Sequence, residues 1–423
     1  MENKTSQITG LATKLKDEVT RLEAALQALG AESPSFSQNA SPELPRSPDV
    51  QLAQNAILEC CTELQALVEG PLENLVRITS PRMNILMALH AIFHYNIAKN
   101  VAKDEEVSFE EIGQRCNMDV DDARRLIRMA ISFHIFQEPR KGFISHTANS
   151  AVIVDNELLY QWIGLVCDDM WPNGPQLVPA MKKWPGSKEP TETAFALTNG
   201  VGMWEFLKEN PQKAQRFARG IQFLQNHPAF DIGHLFTSLA WDVDCELTIV
   251  DVGGSHGAIA QALLDRYPSL QIHVQDLPEV ISGATVPSQF EGRLHFVAHD
   301  FFTEQPLKAG VYFLRSILHD WSDKYAVQII QNLIPALEPG AKVIVNEVCM
   351  PEPNTLPFYL SQLIRGYDLA MKQEFNSKER DAEEWESLFQ LADKRFKLNR
   401  IVVPPGSILA VVEFVWQPET AEG

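Results

Sequence analysis

The residues whose types and spacing suit chemistry lie in the second half of the chain. Leu247–Val252 is an apolar run broken only by Thr248 and Asp251, and it empties into Gly253-Gly254-Ser255-His256-Gly257 before a helical pattern opens at Ala258. A glycine-rich turn between strand and helix lets a ligand approach the backbone closely and aims free helix N–H groups at it. Asp276 closes the next β-rich run, where an acid can accept hydrogen bonds from both hydroxyls of a ribose. His319 falls just past a later strand, on the carboxyl edge where such sheets build their sites. An imidazole titrates near neutrality and suits a general base. A base needs orienting, usually by a carboxylate on its other ring nitrogen. Glu347 ends the run 342–347 and reaches the same edge. Asp320 reads as a cap for the helix that follows it, and His256 as a solvent-facing side chain.

Two cofactors share this strand–turn–helix layout. A dinucleotide site wants G-x-G-x-x-G for its pyrophosphate. Ser255 stands at the middle glycine position, so that fingerprint fails. S-adenosylmethionine carries no phosphate. It needs room for a methionine carboxylate and ammonium, which Asp251 and the open Gly253-Gly254 turn supply.

These residues need a scaffold. Apolar β-rich runs at 247–252, 271–276, 294–300, 311–317 and 342–347 alternate with helical stretches, which implies a parallel sheet with helices on both faces. Runs 396–403 and 408–416, joined by Pro404-Pro405-Gly406-Ser407, read as an antiparallel hairpin at the sheet edge. The fold class expected is therefore α/β. Its C-terminal part is doubly wound, Rossmann-like and mainly parallel, and its N-terminal part is helical. Three segments are read: 1–48, 49–235 and 236–423. Within the first, Ile8, Leu11, Leu15, Val19, Leu22, Leu26 and Leu29 recur at helical spacing up to Gly30, and a Ser- and Pro-rich linker follows over 31–48. The second is helical. Ser108-Phe109-Glu110-Glu111 resembles a capping box, a second helix runs through 122–127, and 136–144 reads as a hairpin. Helix, helix, hairpin is a winged-helix order, which raises a DNA-binding reading.

The bulk composition argues against that reading. The 423 residues carry a formal net charge of −19, which repels nucleic acid and anionic membrane surfaces. Six cysteines are scattered without a CxxC pair, as in a reducing, cytoplasmic setting. No apolar stretch has the length of a membrane span, and no apolar region follows Met1-Glu2-Asn3-Lys4 as a secretory leader would require.

In order, Asp251-Val252-Gly253-Gly254, then Gln275-Asp276-Leu277-Pro278, His299-Asp300-Phe301-Phe302 and Leu318-His319-Asp320-Trp321-Ser322-Asp323 resemble the metal-independent, plant- and fungal-type small-molecule O-methyltransferases. The resemblance spans roughly 75–416, and the Ser/Pro-linked N-terminus is similar to fungal members that act on aromatic polyketides. It implies an S-adenosylmethionine-dependent enzyme acting on a phenolic hydroxyl of a polyketide or alkaloid. Gly253, Gly254 and Asp251 would line the cofactor, Asp276 and Leu277 its ribose, Asp300 and Phe301 its adenine. Arg315 stands where the family often has Lys, also near the adenine. His319 would be the base, with Glu347 and Glu379 of Ser377-Lys378-Glu379-Arg380 as flanking acids. Phe217, Phe223, Asp368, Met371 and Trp171 would line the substrate pocket. The helical half would form an intertwined homodimer, which gives the winged-helix pattern a use without DNA. Some fungal relatives on this scaffold catalyse dehydration or pericyclic reactions instead, but they tend to lose the catalytic His.

Overall fold

The computed structural model describes residues 6–239 and 246–417. Residues 1–5, including the Met1-Glu2-Asn3-Lys4 of the leader argument, and residues 240–245 and 418–423 lie outside the described residues. The chain divides into two compact units. One comprises Met1–Gly174, Leu207–Asn226 and Pro357–Gln362; the other comprises Pro175–Phe206, His227–Leu356 and Leu363–Gly423. Residues 175–206 thus go with the sheet, although sequence places them among the helices.

In the first unit the amphipathic stripe becomes the helix Gln7–Ala28, opened by a Ser6 side chain that accepts from the Thr9 N–H. It ends where Gly30 takes φ 65°, and the Ala31 N–H returns to Leu26 O at 3.0 Å. The Ser/Pro segment after it has no regular structure, yet it is not a free tether. The Phe36 ring stacks on His134 with centroids 4.0 Å apart, and Phe36 O accepts from the Ala148 N–H. A long helical stretch, Pro48–Thr79, is interrupted at Gly70, whose φ of 68° precedes Pro71. The winged-helix order holds. Strand β1 (Val107–Ser108) precedes helices Phe109–Cys116 and Val120–Ile131, the hairpin β2 (Gln137–Arg140) and β3 (Phe143–Ser145) follows them, and the three strands form a small sheet in the order β1-β3-β2. Ser108 caps the first of these helices by accepting from the Glu111 N–H. The Glu111 carboxylate takes Arg115, so one half of the expected capping box has been given to an ion pair.

The second unit is built on one sheet. Its strands are β4 (Leu247–Val252), β5 (Leu270–Asp276), β6 (Leu294–Ala298), β7 (Val311–Arg315), β8 (Lys342–Met350), β9 (Arg380–Asp381), β10 (Phe396–Val402) and β11 (Leu409–Trp416). Their order is β10-β11-β8-β7-β4-β5-β6, with β9 added in parallel to the end of β8. Strands β4 to β8 are parallel. β11 runs antiparallel to β8 and β10, which is the expected hairpin. Both faces are covered. On one, Val250, Tyr312, Val345 and Phe414 pack with Ile329, Ile330, Trp385 and Phe389. On the other, Ile249, Ile272, Phe313 and Val411 pack with Ala260, Leu263, Leu264 and Leu235. Strands buried on both faces read as near-continuous apolar runs, which is why they were visible in the sequence.

Phe389 lies fully buried on the helix Ala382–Ala392, its ring stacked on Phe414 of β11 at 3.7 Å. Phe389→Ala is expected to destabilise the protein by about 3–5 kcal/mol, read as a lower urea midpoint. A loss below about 1 kcal/mol would show that this face does not hold the sheet.

Candidate active site

The glycine turn is built for close approach. Gly253 takes φ 74°, and a Cβ there would press into Ile317 Cδ1 and lie 3.9 Å from Phe301 Cε1. A Cβ on Gly254 would collide with the Asp251 carboxylate and with Val274 Cγ1. Ser255 is in the left-handed region at φ 51°. Its N–H donates to Asp276 Oδ2 at 2.9 Å, and the Leu277 N–H donates to Oδ1 at 2.8 Å. Asp276 is thus oriented by the turn it faces. Burial pushes its carboxyl up, against the pull of these two N–H groups. Asp251 is buried beneath the turn, with Oδ2 enclosed and without a hydrogen-bond partner among the described residues. Its pKa is pushed to about 7 by burial and by Asp276, with Arg315 pulling the other way. His256 is exposed.

Phe301 is half-buried beside Gly253 and meets Trp321 edge-on at 6.0 Å. Asp300 is exposed and accepts from the Phe302 N–H at 2.9 Å. Leu277 is 40% exposed. Arg315 does something sequence did not suggest. Its Nη1 donates to Asn346 Oδ1 and its Nη2 to the Phe230 carbonyl.

The second cluster forms where β7 ends. Ser316 takes φ 54°, a conformation that costs a non-glycine residue about 1 kcal/mol or more. Glu347, fully buried, holds the chain there: its Oε1 accepts from the Ile317 N–H at 2.8 Å and the Leu318 N–H at 2.6 Å. His319 follows. Its Nδ1 lies 2.9 Å from Glu379 Oε1. A carboxylate only accepts, so Nδ1 carries the proton. Glu379 is held in turn, its N–H donating to Asp368 Oδ1 at 3.0 Å. Asp368, expected at a substrate wall, therefore braces the acid. Met371 is half-buried on the same helix, Phe358–Phe375.

Sequence reasoning missed two residues here. Arg380 is completely buried, and its guanidinium donates to the Leu318 and Trp321 carbonyls at 2.8 Å and to Asp323. These carbonyls bracket His319-Asp320, so Arg380 clamps the His segment to its own neighbour Glu379. The local signal was there, since Arg380 adjoins Glu379, but its partners were not visible. Asp320 is the second. It does not cap the next helix, Asp323–Leu333, whose N-cap is Ser322. Its Oδ1 lies 3.6 Å from His319 Nε2. Burial pushes Asp320 up to about 7 against the pull of His319.

A strap from residues 187–204 registers the two halves of this cluster. The Lys188 carbonyl accepts from Ser322 Oγ, and Glu189 takes Lys324 and Tyr325 with its carboxylate and Asn376 Nδ2 with its carbonyl. Trp204 stacks between Trp321 and Phe375, at 6.0 and 5.3 Å.

In the other unit, Phe223 lies 6.1 Å from Trp162, Trp171 meets His90 edge-on at 6.5 Å, and Phe217 is half-buried. Trp171 follows a π-helical turn, Leu165–Met170, that apolar spacing does not reveal.

A doubly wound sheet with a glycine turn after its first strand, an acid at the end of its second and a His–Glu pair at its carboxyl edge defines a nucleoside-cofactor transferase. Residues 184–394 match the O-methyltransferase domain family. The chain is 61% identical over 421 residues to O-methyltransferase kk1A of Curvularia clavata, covering 99% of this chain and all of that one. It is 36% identical to the grayanic acid biosynthesis cluster O-methyltransferase of Cladonia grayi, covering 98% of this chain and 89% of that protein. In three dimensions it resembles OxaC (TM-score 0.76, 18% identity, 96% of this chain and 100% of that one) and LepI in complex with SAM (0.72, 21%, 95% and 100%). The chain belongs to the S-adenosylmethionine-dependent O-methyltransferases of fungal secondary metabolism, and it is an enzyme. These relatives support methyl transfer and not the pericyclic or dehydrating alternative. No helix among the described residues is long and apolar enough to cross a membrane.

The electrostatics of His319 are unusual for a base. Burial pushes the imidazole down, but Glu379, Asp320 and Glu347 outweigh it and lift its pKa to about 10. The protonated form is favoured in the fold, so this contribution to stability is full below the unfolded value of about 6.5 and is lost as pH rises through about 10. Glu379→Gln removes the nearest negative charge. The midpoint of the His319 ring titration, followed by NMR, is expected to fall below 10 in that variant. An unmoved midpoint would mean that Glu379 does not set it.

Proposed function

We propose that the enzyme methylates a phenolic hydroxyl of a small aromatic polyketide or alkaloid, with His319 as general base and Glu379 and Glu347 as the acids that hold it. The 2.9 Å bond from His319 Nδ1 to Glu379 carries the reading, because it fixes the tautomer that leaves Nε2 as the proton-accepting nitrogen. The donor set fits S-adenosylmethionine. Gly253 and Gly254 let the backbone turn tightly against Ile317, Asp251 and Val274, Asp276 offers carboxylate oxygens for a ribose, and Asp251 Oδ2, without a partner among the described residues, suits an ammonium. Phe301 and Asp300 flank the turn on the adenine side. When bound, S-adenosylmethionine supplies an electrophilic methyl on a positively charged sulfur. His319 holds the phenol and takes its proton at Nε2, Glu379 steadies the resulting imidazolium, and Glu347 keeps the His segment in place through two backbone N–H groups. Met371 is the apolar side chain of the sheet unit proposed to grip the ring; Phe217, Phe223 and Trp171, also expected to line the pocket, belong to the helical unit. Asp368 is assigned to the substrate wall only through Glu379.

Incubation with labelled S-adenosylmethionine and a panel of phenolic polyketides and alkaloids, read by mass spectrometry, tests the substrate class. His319→Ala is expected to cut turnover by about 10²-fold or more and to leave S-adenosylhomocysteine affinity within a factor of two or so of the parent. Turnover at the parent rate would sink the general-base assignment.

The helical unit is proposed to pair with a second copy, in the cytoplasm. Its long helical stretch exposes Val68, Leu72, Leu75 and Val76, at 71, 71, 61 and 49% of their surface, and clustered apolar side chains in water mark interaction surfaces. Sedimentation at micromolar protein is expected to give a dimer, and Leu72→Glu with Leu75→Glu a monomer. A parent protein that sediments as a monomer refutes the pairing.

A further inference from the structure

Asp251 on β4 pairs in register with Phe313 on β7, and Arg315, two residues further along β7, pairs with Asn346 on β8. Alternate residues share a face, so Asp251, Arg315 and Asn346 lie on one side of the sheet at its carboxyl edge. The Arg315 fork is committed: Nη1 to Asn346 Oδ1, whose own Nδ2 is fixed on the Ala410 carbonyl, and Nη2 to the Phe230 carbonyl. Its Nε is buried without a partner among the described residues, as is Asp251 Oδ2. A guanidinium spent in this way is anchored on the sheet face that also carries Asp251.

We propose that Arg315 is a positioning residue that keeps Asp251 ionised under the Gly253-Gly254 turn, so that Asp251 accepts the ammonium of the cofactor's methionyl group. This rests on the cofactor reading above, and it departs from the adenine contact expected for Arg315. A buried carboxyl accepts a cation well only when charged. Burial and the neighbouring Asp276 of β5 favour the neutral acid. The opposing charge is Arg315, itself held below its ordinary value, at about 10, by burial, while Asp251 and Asp231, the residue after Phe230, favour its charged form. With Asp251 near 7 in the intact site, loss of the Arg315 charge moves its titration further up.

The experiment is calorimetry of S-adenosylhomocysteine binding to the full chain between pH 5.5 and 9. The parent is expected to lose affinity below about pH 7, as Asp251 takes a proton. Arg315→Gln should shift that inflection upward by about one pH unit, so that binding at a fixed acidic pH is about tenfold weaker. Arg315→Lys, which keeps the charge without the fork, should bring the inflection back toward the parent. The alkaline limb, set by the ligand's own amine, should not move in any of them. A loss in Arg315→Gln that is equal at every pH, or an inflection that does not move, overturns the proposal. Asp276→Ala separates the two levels. If it abolishes binding while the Arg315→Gln inflection stays in place, only the Arg315 role fails. If Asp276→Ala also binds normally, the cofactor reading fails with it.

Discussion

The hydrogen bond between His319 Nδ1 and Glu379 is the constraint around which this sheet edge is organised. Its partners come from chain segments 60 residues apart, one in the short 3-10 turn Leu318–Asp320 after β7 and one in the loop before β9. Their geometry is set by buried polar groups that bind backbone. Glu347 spends Oε1 on two N–H groups before His319, Asp368 takes the N–H of Glu379, and Arg380 closes on the carbonyls either side of His319-Asp320. A hydrogen bond weakens steeply once its angle departs far from linear, so both partners need backbone held in place. The strap through Glu189 and Trp204 extends the same bracing outward. It explains why residues 175–206 fold with the sheet and not with the helices that precede them.

The edge concentrates acid. Asp251, Asp276, Asp320, Glu347 and Glu379 all lie at the carboxyl ends of the parallel strands or just beyond, and three of them, Asp251, Glu347 and Glu379, are buried. Burying a carboxylate costs several kcal/mol unless donors or cations compensate it. Backbone N–H groups compensate part of this at Asp276 and Glu347. Arg315 and Arg380 compensate another part from below the edge. Glu347 Oε2, Glu379 Oε2 and Asp251 Oδ2 remain enclosed without partners among the described residues. An edge left short of positive charge in this way complements a cofactor that brings a sulfonium and an ammonium to it.

Much of this was legible in the residues. Double burial writes a parallel strand as an apolar run, and acids that end such runs mark the edge where ligands sit; hence Asp276, His319 and Glu347 could be placed before any coordinate. The ends of strands were less legible, because they depend on single dihedrals and on distant pairing. β7 stops at Arg315 because Ser316 turns into the left-handed region, and β8 runs on to Met350 because Cys349 and Met350 gain β9 as a neighbour. Partners were least legible. Nothing local says that Asp368 reaches Glu379, that Asp320 turns to the imidazole while Ser322 takes the cap, or that Phe36 pins a segment whose composition reads as a tether. In each case the backbone groups that compete for the side chain are supplied by another part of the fold.

An imidazole surrounded by three carboxylates could be expected to be a proton trap and not a base. In the proposed role, the proton it accepts comes from a phenol. His319 sits at about 10, and an unperturbed phenol titrates near 10. Proton transfer between groups of matched pKa is close to isoenergetic, whereas an unperturbed imidazole near 6.5 would work uphill by several kcal/mol. The carboxylates therefore raise the base toward its substrate. They also raise the pH at which the ring becomes free to act. Asp320, 3.6 Å from Nε2, adds to that cost, because its charge favours the protonated ring.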